Sequence, residues 1–396
     1  MARILIVTQN FYPEIGSAAN RMKNLFLQFK KNGYDVHVFT TEPSYPNKKL
    51  YKDAKFFNEK FIDDLEGISI TRIKMRHEKH KDSFNSRLYY YTEFMLKVHY
   101  FVKKTNHIFD YVYITSPNIF TAWGALFFQK HKCFNTILEI RDLWPDSVEA
   151  IDKVNISFCL PILKLLEMKM YNNANKIVVN NTNFISHIQK MMIKKKPIIY
   201  IPNAVNKEEV HFRTPYDEFS VVYTGNIGLA QNVDQLIEIA EKLNEEKIHF
   251  NTIIYGINAK VFRKYVSDHQ LKYVHVHDPM TRNECLNFMS KNHLSLSILK
   301  DTEVFLNVMP GKVVDAICTH VPVITNLGGD TNKLINNEKI GFAKESATTE
   351  ELMEAILYFR SNSEILNEYK ENTRRVKNRD FLWENNIKKL ISFIEA

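Results

Sequence analysis

Short, unbroken apolar runs, separated by segments of helical period, recur along this chain and constrain its fold more than any other feature. ILIVT (4–8), VHVFT (36–40), YVYIT (111–115), TILEI (136–140), KIVV (176–179) and IIYI (198–201) each read as a strand buried on both faces. After the first run, the loop QNFYPEIG (9–16) leads into Ala18, Ala19, Met22, Leu25, Phe26 and Phe29 at helical spacing. Asn32-Gly33 then supplies a helix stop. Strand, loop, helix, strand is the repeating unit of a parallel α/β sheet. The pattern restarts with VVYTG (221–225) and the amphipathic helix QNVDQLIEIAEKL (231–243). TIIYG (252–256), VHVH (274–277), LSLSI (294–298) and VPVIT (321–325) follow. A chain of 396 residues is expected to hold roughly two domains of about 200 residues each. The expectation is therefore two successive doubly wound halves, residues 1–203 and 204–379, joined near 202-PNAVN-206.

Composition bounds what such a chain can do. With 45% apolar and 25% charged residues it is in the range of a soluble globular enzyme, and sparse Gly and Pro argue against long disordered linkers. The net charge of +8 favours an anionic partner: nucleic acid, a phosphorylated small molecule or an acidic membrane surface. The charge concentrates in 72-RIKMRHEKHK-81, which carries Arg72, Lys74 and Arg76, and in 190-KMMIKKK-196, which carries Lys194, Lys195 and Lys196. Between 84 and 106, Phe84, Leu88, Tyr91, Met95, Val98 and Val102 form one apolar stripe on a helix. Tyr89, Tyr90, Phe94, Tyr100 and Phe101 widen it beyond a single face. This is either a helix packed on several sides or an aromatic surface that meets lipid beside the basic patch. Cys133, Cys159, Cys285 and Cys318 lack zinc spacing and read as reduced, buried thiols. The N-terminal MARILIVTQNFYP reads as a first strand and not as a signal peptide, and no run of 18 apolar residues exists. A cytoplasmic protein, with surface attachment to a membrane open to it, is the expectation.

Ligands of open α/β sheets bind at the carboxyl ends of strands, so the loops there carry the candidate chemistry. In 9-QNFYPEIGSAANR-21, Gly16 allows close backbone approach and the following helix N-terminus favours an anion. In 139-EIRDLWPDS-147, Arg141 and Asp142 end a strand; the carboxylate can take a proton or bind sugar hydroxyls, or the pair can simply hold its loop. In 223-YTGNIGLAQNVDQL-236, Gly225 and Gly228 precede a helix N-terminus. In 308-VMPGKVVDAIC-318, Met309, Pro310 and Gly311 form a turn, Lys312 begins a helix and Asp315 lies one turn on. A Lys at the positive end of a helix dipole is unfavourable alone. It makes sense if a diphosphate sits there, with Asp315 on the ribose hydroxyls. Metal signals are weak: there is no D-x-D, and the pairs His275/His277 and His77/His80 lack a third ligand. Neither G-x-S-x-G nor a Walker A sequence is present, and the first loop is not G-x-G-x-x-G.

YPEIGSAANR, RDLWPDS, IPNAVN, YTGNIGLAQNVDQLI and PGKVVDAICTHVPVI, in this order and at these distances, resemble the retaining nucleotide-sugar glycosyltransferases of the large family 4. The likeness extends over essentially the whole chain. It is strongest to the bacterial branch that builds capsule and O-antigen repeat units, N-acetylfucosamine transferases included. The resemblance implies a GT-B fold, with two Rossmann-like domains facing a central cleft and the helix of 380–396 packing back on the first domain. It further implies that Gly16 lies beside the donor phosphates, that Gly225, Asn226 and the 309–311 turn line the diphosphate, that Lys312 contacts it and that Asp315 binds the ribose. Asp142, with Arg141 beside it, would stand in the catalytic cleft. The family's usual pair of glutamates is altered: Asp315 takes the second place, Asn307 stands eight residues before it, and Glu303 is out of register. Gln231 stands where a basic residue is usual. Lys312, with Arg21, is then expected to supply the positive charge.

By that resemblance the chain transfers a sugar from a UDP-linked donor to an acceptor on a polyprenyl diphosphate, with no metal and no cofactor beyond the donor. The donor phosphate takes the acceptor's proton, and an anionic membrane surface, not nucleic acid, is the partner. The alternatives are a UDP-sugar 2-epimerase of the same fold, which needs no acceptor, and a non-catalytic anion- or RNA-binding scaffold.

Overall fold

The computed structural model describes residues 1–77, 84–105, 108–116, 119–127, 134–149, 158–211 and 213–396. The chain divides into two compact units: residues 1–202 with 386–396, and residues 203–385.

The apolar runs of the first unit become a seven-stranded parallel sheet. Its strands are β1 (Arg3–Val7), β2 (Asp35–Thr41), β3 (Ile70–Ile73), β4 (Tyr111–Thr115), β5 (Asn135–Ile140), β6 (Lys176–Val179) and β7 (Ile198–Tyr200). They lie in the order β3-β2-β1-β4-β5-β6-β7. In β1, Ile4, Leu5, Ile6 and Val7 are all buried, because helices cover both faces. The chain order reverses between β1 and β4, which register Ile4 beside Tyr111 and Val7 beside Ile114.

The helix Phe84–Lys104 packs on this sheet through Tyr90, Phe94, Val98 and Val102. Of the expected stripe, Val98 and Val102 are buried and Tyr91 and Met95 pack against the core, whereas Leu88 is exposed; Tyr89, Leu96 and Tyr100 are exposed as well. The helix Trp383–Glu395 ends in the first unit, where Ile387, Leu390 and Ile394 are buried at helical spacing. Lys176 donates to the carbonyls of Phe393 and Ile394 at 2.8 and 3.0 Å, and the Tyr34 hydroxyl donates to Glu395.

The second unit repeats the plan with β8 (Ser220–Asn226), β9 (His249–Tyr255), β10 (Val274–His277), β11 (Leu294–Ser297), β12 (Val323–Thr325) and β13 (Gly341–Ala343). The parallel order is β10-β9-β8-β11-β12-β13, and its reversal falls between β8 and β11. Each unit is therefore Rossmann-like, with a switch point beside its own first strand. Among the described residues, no helix is long and apolar enough to cross a membrane.

Candidate active site

In the second unit the switch-point loops place a cation without a counterpart. β8 ends in Thr224-Gly225-Asn226, and Gly225 has φ +108°, a conformation that a side chain rarely adopts. Lys312 is the second residue of the helix Gly311–Cys318, whose N-cap is Pro310. Its Cε lies 4.0 Å from where a Cβ on Gly225 would stand. Although the residue as a whole is only partly buried, its Nζ has no solvent contact and no hydrogen-bond partner. The Nζ lies 3.8 Å from the centroid of the buried Tyr223 ring, a contact worth on the order of 1–2 kcal/mol. That is less than the several kcal/mol that burying a charge costs. Burial accordingly pulls the ammonium pKa down to about 7. The turn, the helix end and the strand end thus hold a desolvated positive group that an anion would complete.

Asp315 lies one turn further on and is not idle. Arg282, the first residue of the helix Arg282–Met289, clasps it with two hydrogen bonds of 2.7 Å. Burial works against the Arg282 charge, but Asp315 outweighs it and raises the guanidinium pKa. Sequence reading missed Arg282, which stands 33 positions before its partner. Each Asp315 oxygen retains a second lone pair. The Asn226 side chain is turned into its own loop, 2.0 Å from where a Cβ on Gly256 would stand. Any contact from Asn226 to a ligand is thereby left to its backbone. Gln231 accepts from the Gly228 N–H at 2.7 Å and shapes the loop in place of carrying charge. The 309–311 turn is fixed by neighbours: Val313 N–H donates to the Pro310 carbonyl and Thr331 to that of Val308. A polar cavity of about 360 Å³ is bordered by Asp234, Glu238, Asp301 and Glu350. Its carboxylates make it a poor place for a diphosphate, unlike the Lys312 corner.

The first unit has a comparable group. Gly16, φ +140°, caps the helix Ser17–Lys31, as expected of a close-approach loop. Arg141, just past β5, donates from Nη2 to the Ser17 hydroxyl at 3.3 Å, while its buried Nε and Nη1 have no partner. Burial lowers its pKa to about 10. Asp142 accepts from the Ser147 hydroxyl and the Leu143 N–H, contacts that hold its turn and leave further lone pairs on the carboxylate. Arg141 is the member of the pair with idle donors.

The expectation for Arg21 is corrected. Its guanidinium is fully buried and spent: Nε on Glu139 at 2.8 Å, Nη1 on the Pro202 carbonyl at 2.7 Å and Nη2 on that of Ile201 at 2.9 Å. Glu139 also accepts from Tyr113 and Thr115. This network pins the first helix to β5 and to the chain beyond β7, so Arg21 offers nothing to a ligand. Glu139, unflagged in the sequence, is its centre.

Two members of the basic patches are structural. Arg72 donates to Glu66 at 2.9 Å and to the Tyr12 carbonyl at 2.6 Å. The Lys196 ammonium is tied to the carbonyls of Asn172 and Ala174 at the end of the helix Leu160–Asn173, and burial lowers its pKa. Lys74, Arg76, Lys194 and Lys195 are exposed. His275 pairs with His249 at 2.8 Å; His80 and Cys133 lie outside the described residues. Cys159, Cys285 and Cys318 are free thiols. Among the described residues, no group of three His, Cys, Asp or Glu stands together as a metal site.

With this geometry in place, comparison with known proteins is direct: residues 206–376 match the family of glycosyl transferases group 1. The match takes in β8, Arg282, Lys312 and Asp315, so the unpartnered cation lies inside the matched segment. The chain is similar, at 24% identity over 291 residues, to the alpha-galactosylglucosyldiacylglycerol synthase of Streptococcus pneumoniae (strain ATCC BAA-255 / R6), covering 68% of this chain and 73% of that one. It superposes on sucrose-phosphate synthase from Thermosynechococcus elongatus with TM-score 0.72 and 12% identity, over 100% of this chain and 98% of that one. Anabaena HepE, solved with UDP and glucose, gives TM-score 0.70 and 12% identity over 100% of both chains. Both units thus have the α/β architecture of GT-B glycosyltransferases.

Proposed function

We propose that this glycosyltransferase moves a sugar from a UDP-sugar to a hydroxyl of a saccharide carried on a polyprenyl diphosphate, with retention at the anomeric carbon. The observation that carries the donor half is Lys312: a desolvated ammonium, without a hydrogen-bond partner, at the β8–β11 switch point of the glycosyltransferase domain. In the reaction the bond from the anomeric carbon to the β-phosphate oxygen breaks, and a new bond forms to the acceptor oxygen. The acceptor proton passes to the departing phosphate. Lys312 and the backbone N–H groups of the 309–312 and 225–228 loops meet the charge that develops there, without a metal. Asp315, held by Arg282, offers its remaining lone pairs to the ribose. HepE was solved with UDP and glucose, which supports a UDP-linked donor.

The sequence resemblance favours an N-acetylated amino sugar such as N-acetylfucosamine, and a place in bacterial capsular or surface polysaccharide synthesis. The diacylglycerol-linked product named for the pneumococcal relative supports a lipid-linked acceptor. Exposed Lys74, Arg76, Lys194 and Lys195 fit peripheral attachment to the inner face of the cell membrane.

The test incubates a panel of UDP-sugars with extracted lipid-linked acceptors and reads mass by spectrometry. A mass gain of one sugar on the acceptor, with UDP released in step, is expected. UDP release without an acceptor, or a change of sugar configuration with no release, would end this proposal in favour of an epimerase.

A further inference from the structure

Beside the edge strand β3, the helix Phe84–Lys104 leaves a groove of about 950 Å³, at the upper end of ligand-pocket sizes. Phe39, Ile73 and Phe101 form its floor, and Phe39 and Phe101 stack at 4.1 Å. Tyr89, Leu96 and Tyr100 form the outer wall on one helical face, each more than half exposed at 59%, 57% and 59%. Folded chains rarely leave so continuous an apolar surface open unless something docks on it.

The rim is positive. Arg76 is exposed at one end, and the Lys104 ammonium lies 4.7 Å from the Tyr100 ring at the other. Among the described residues, the one carboxylate in the wall is Glu93, which is already neutralised by Lys97 at 2.7 Å, by His77 at 2.9 Å and by the Arg76 N–H at 3.0 Å. Burial alone would raise its pKa, but these partners hold it down at about 2. Dry walls with few free polar groups suit neither a sugar nor a nucleotide. They suit a hydrocarbon chain, and the cations suit an anionic head at its end.

We propose that this groove holds one hydrocarbon chain of an anionic membrane lipid, with the head on the cation at one end of the groove, Arg76 or Lys104. The proposal deepens the membrane part of the function given above and rests on that part alone.

Dodecyl phosphate, below its micellar concentration, is titrated against the full chain by calorimetry, with inorganic phosphate as the control. Saturable binding of about one dodecyl phosphate per chain, and none of inorganic phosphate, is expected. Leu96→Glu places a charge on the apolar wall and is expected to weaken binding at least about tenfold. Leu96→Ala removes apolar wall without adding charge, and is expected to weaken binding by a smaller factor. Leu96 starts exposed, so the core is untouched, and circular dichroism checks the fold. Phosphatidylglycerol vesicles are expected to float the native chain, and phosphatidylcholine vesicles far less.

Three results would overturn the proposal: no dodecyl phosphate binding, equal binding of inorganic phosphate, or binding that survives both substitutions. Equal flotation on the two vesicle types would also overturn it, as would a dimer that Leu96→Glu dissolves, since that gives the face to a second copy. A UDP-induced thermal shift, run alongside, reads the transferase proposal separately. Its absence with dodecyl phosphate still bound would sink that proposal and leave this one standing.

Discussion

Lys312 costs the ligand-free protein stability. Its pKa is about 7 in the fold against an ordinary 10.5, because burial disfavours the charge. Between those two values the unfolded chain binds more protons than the folded one, so stability rises with pH across that window. Below pH 7 the whole cost is present. An anion reverses the preference by holding the proton on. UDP affinity is therefore expected to fall as pH rises above about 7, by at most about tenfold per pH unit. Lys312→Met is expected to raise the unliganded stability by about 1–3 kcal/mol and to abolish the thermal shift given by UDP. Melting curves with and without UDP read both effects, and a variant that melts lower while still responding to UDP contradicts the assignment. Asp315→Asn acts in the opposite sense. It leaves the Arg282 guanidinium half-buried beside a neutral amide, for an expected loss of about 1–3 kcal/mol in urea denaturation.

At the scale of elements, the Arg21–Glu139 network joins a helix, a strand and two carbonyls of the chain beyond β7. Glu139→Gln leaves Arg21 buried without its counter-charge, and a loss of about 3–5 kcal/mol is expected by chemical denaturation. A loss under about 1 kcal/mol would mean that the two carbonyls alone hold the guanidinium. What could be read in advance follows from the same physics. Runs such as ILIVT and YVYIT are legible because buried parallel strands need continuous apolar residues. β3 and β13, at the edges of the two sheets, escape notice because ITRI and GFA are too short to carry a period. Lys312 is legible because its charge conflicts with its own helix dipole. Arg21 misleads because a charged side chain in a first turn looks available, and only coordinates reveal that neighbours have already taken it. Arg282 leaves no local trace, since its partner comes from another helix.

At the scale of the whole molecule, a net charge of +8 is distributed between groups that serve the fold and groups that face solvent. The run Lys194-Lys195-Lys196 divides in this way. Lys194→Ala with Lys195→Ala is expected to reduce flotation on anionic vesicles while leaving the melting temperature unchanged. Lys196→Ala alone is expected to lower stability by about 1–2 kcal/mol, because it frees two part-buried carbonyls at a helix end. Equal melting of the double variant and of Lys196→Ala would return Lys196 to the solvent-facing group.

The two units are also unequal in how the chain completes them. The second draws on one continuous stretch, 203–385, whereas the first needs residues 386–396 as well as 1–202. During translation the ribosome delivers every residue of the later unit before it delivers the last eleven of the earlier one. The first unit to be started is thus the last to be finished. Until then the hollow that receives Ile387, Leu390 and Ile394 stays open on the nascent chain, a greasy surface for a chaperone to shelter.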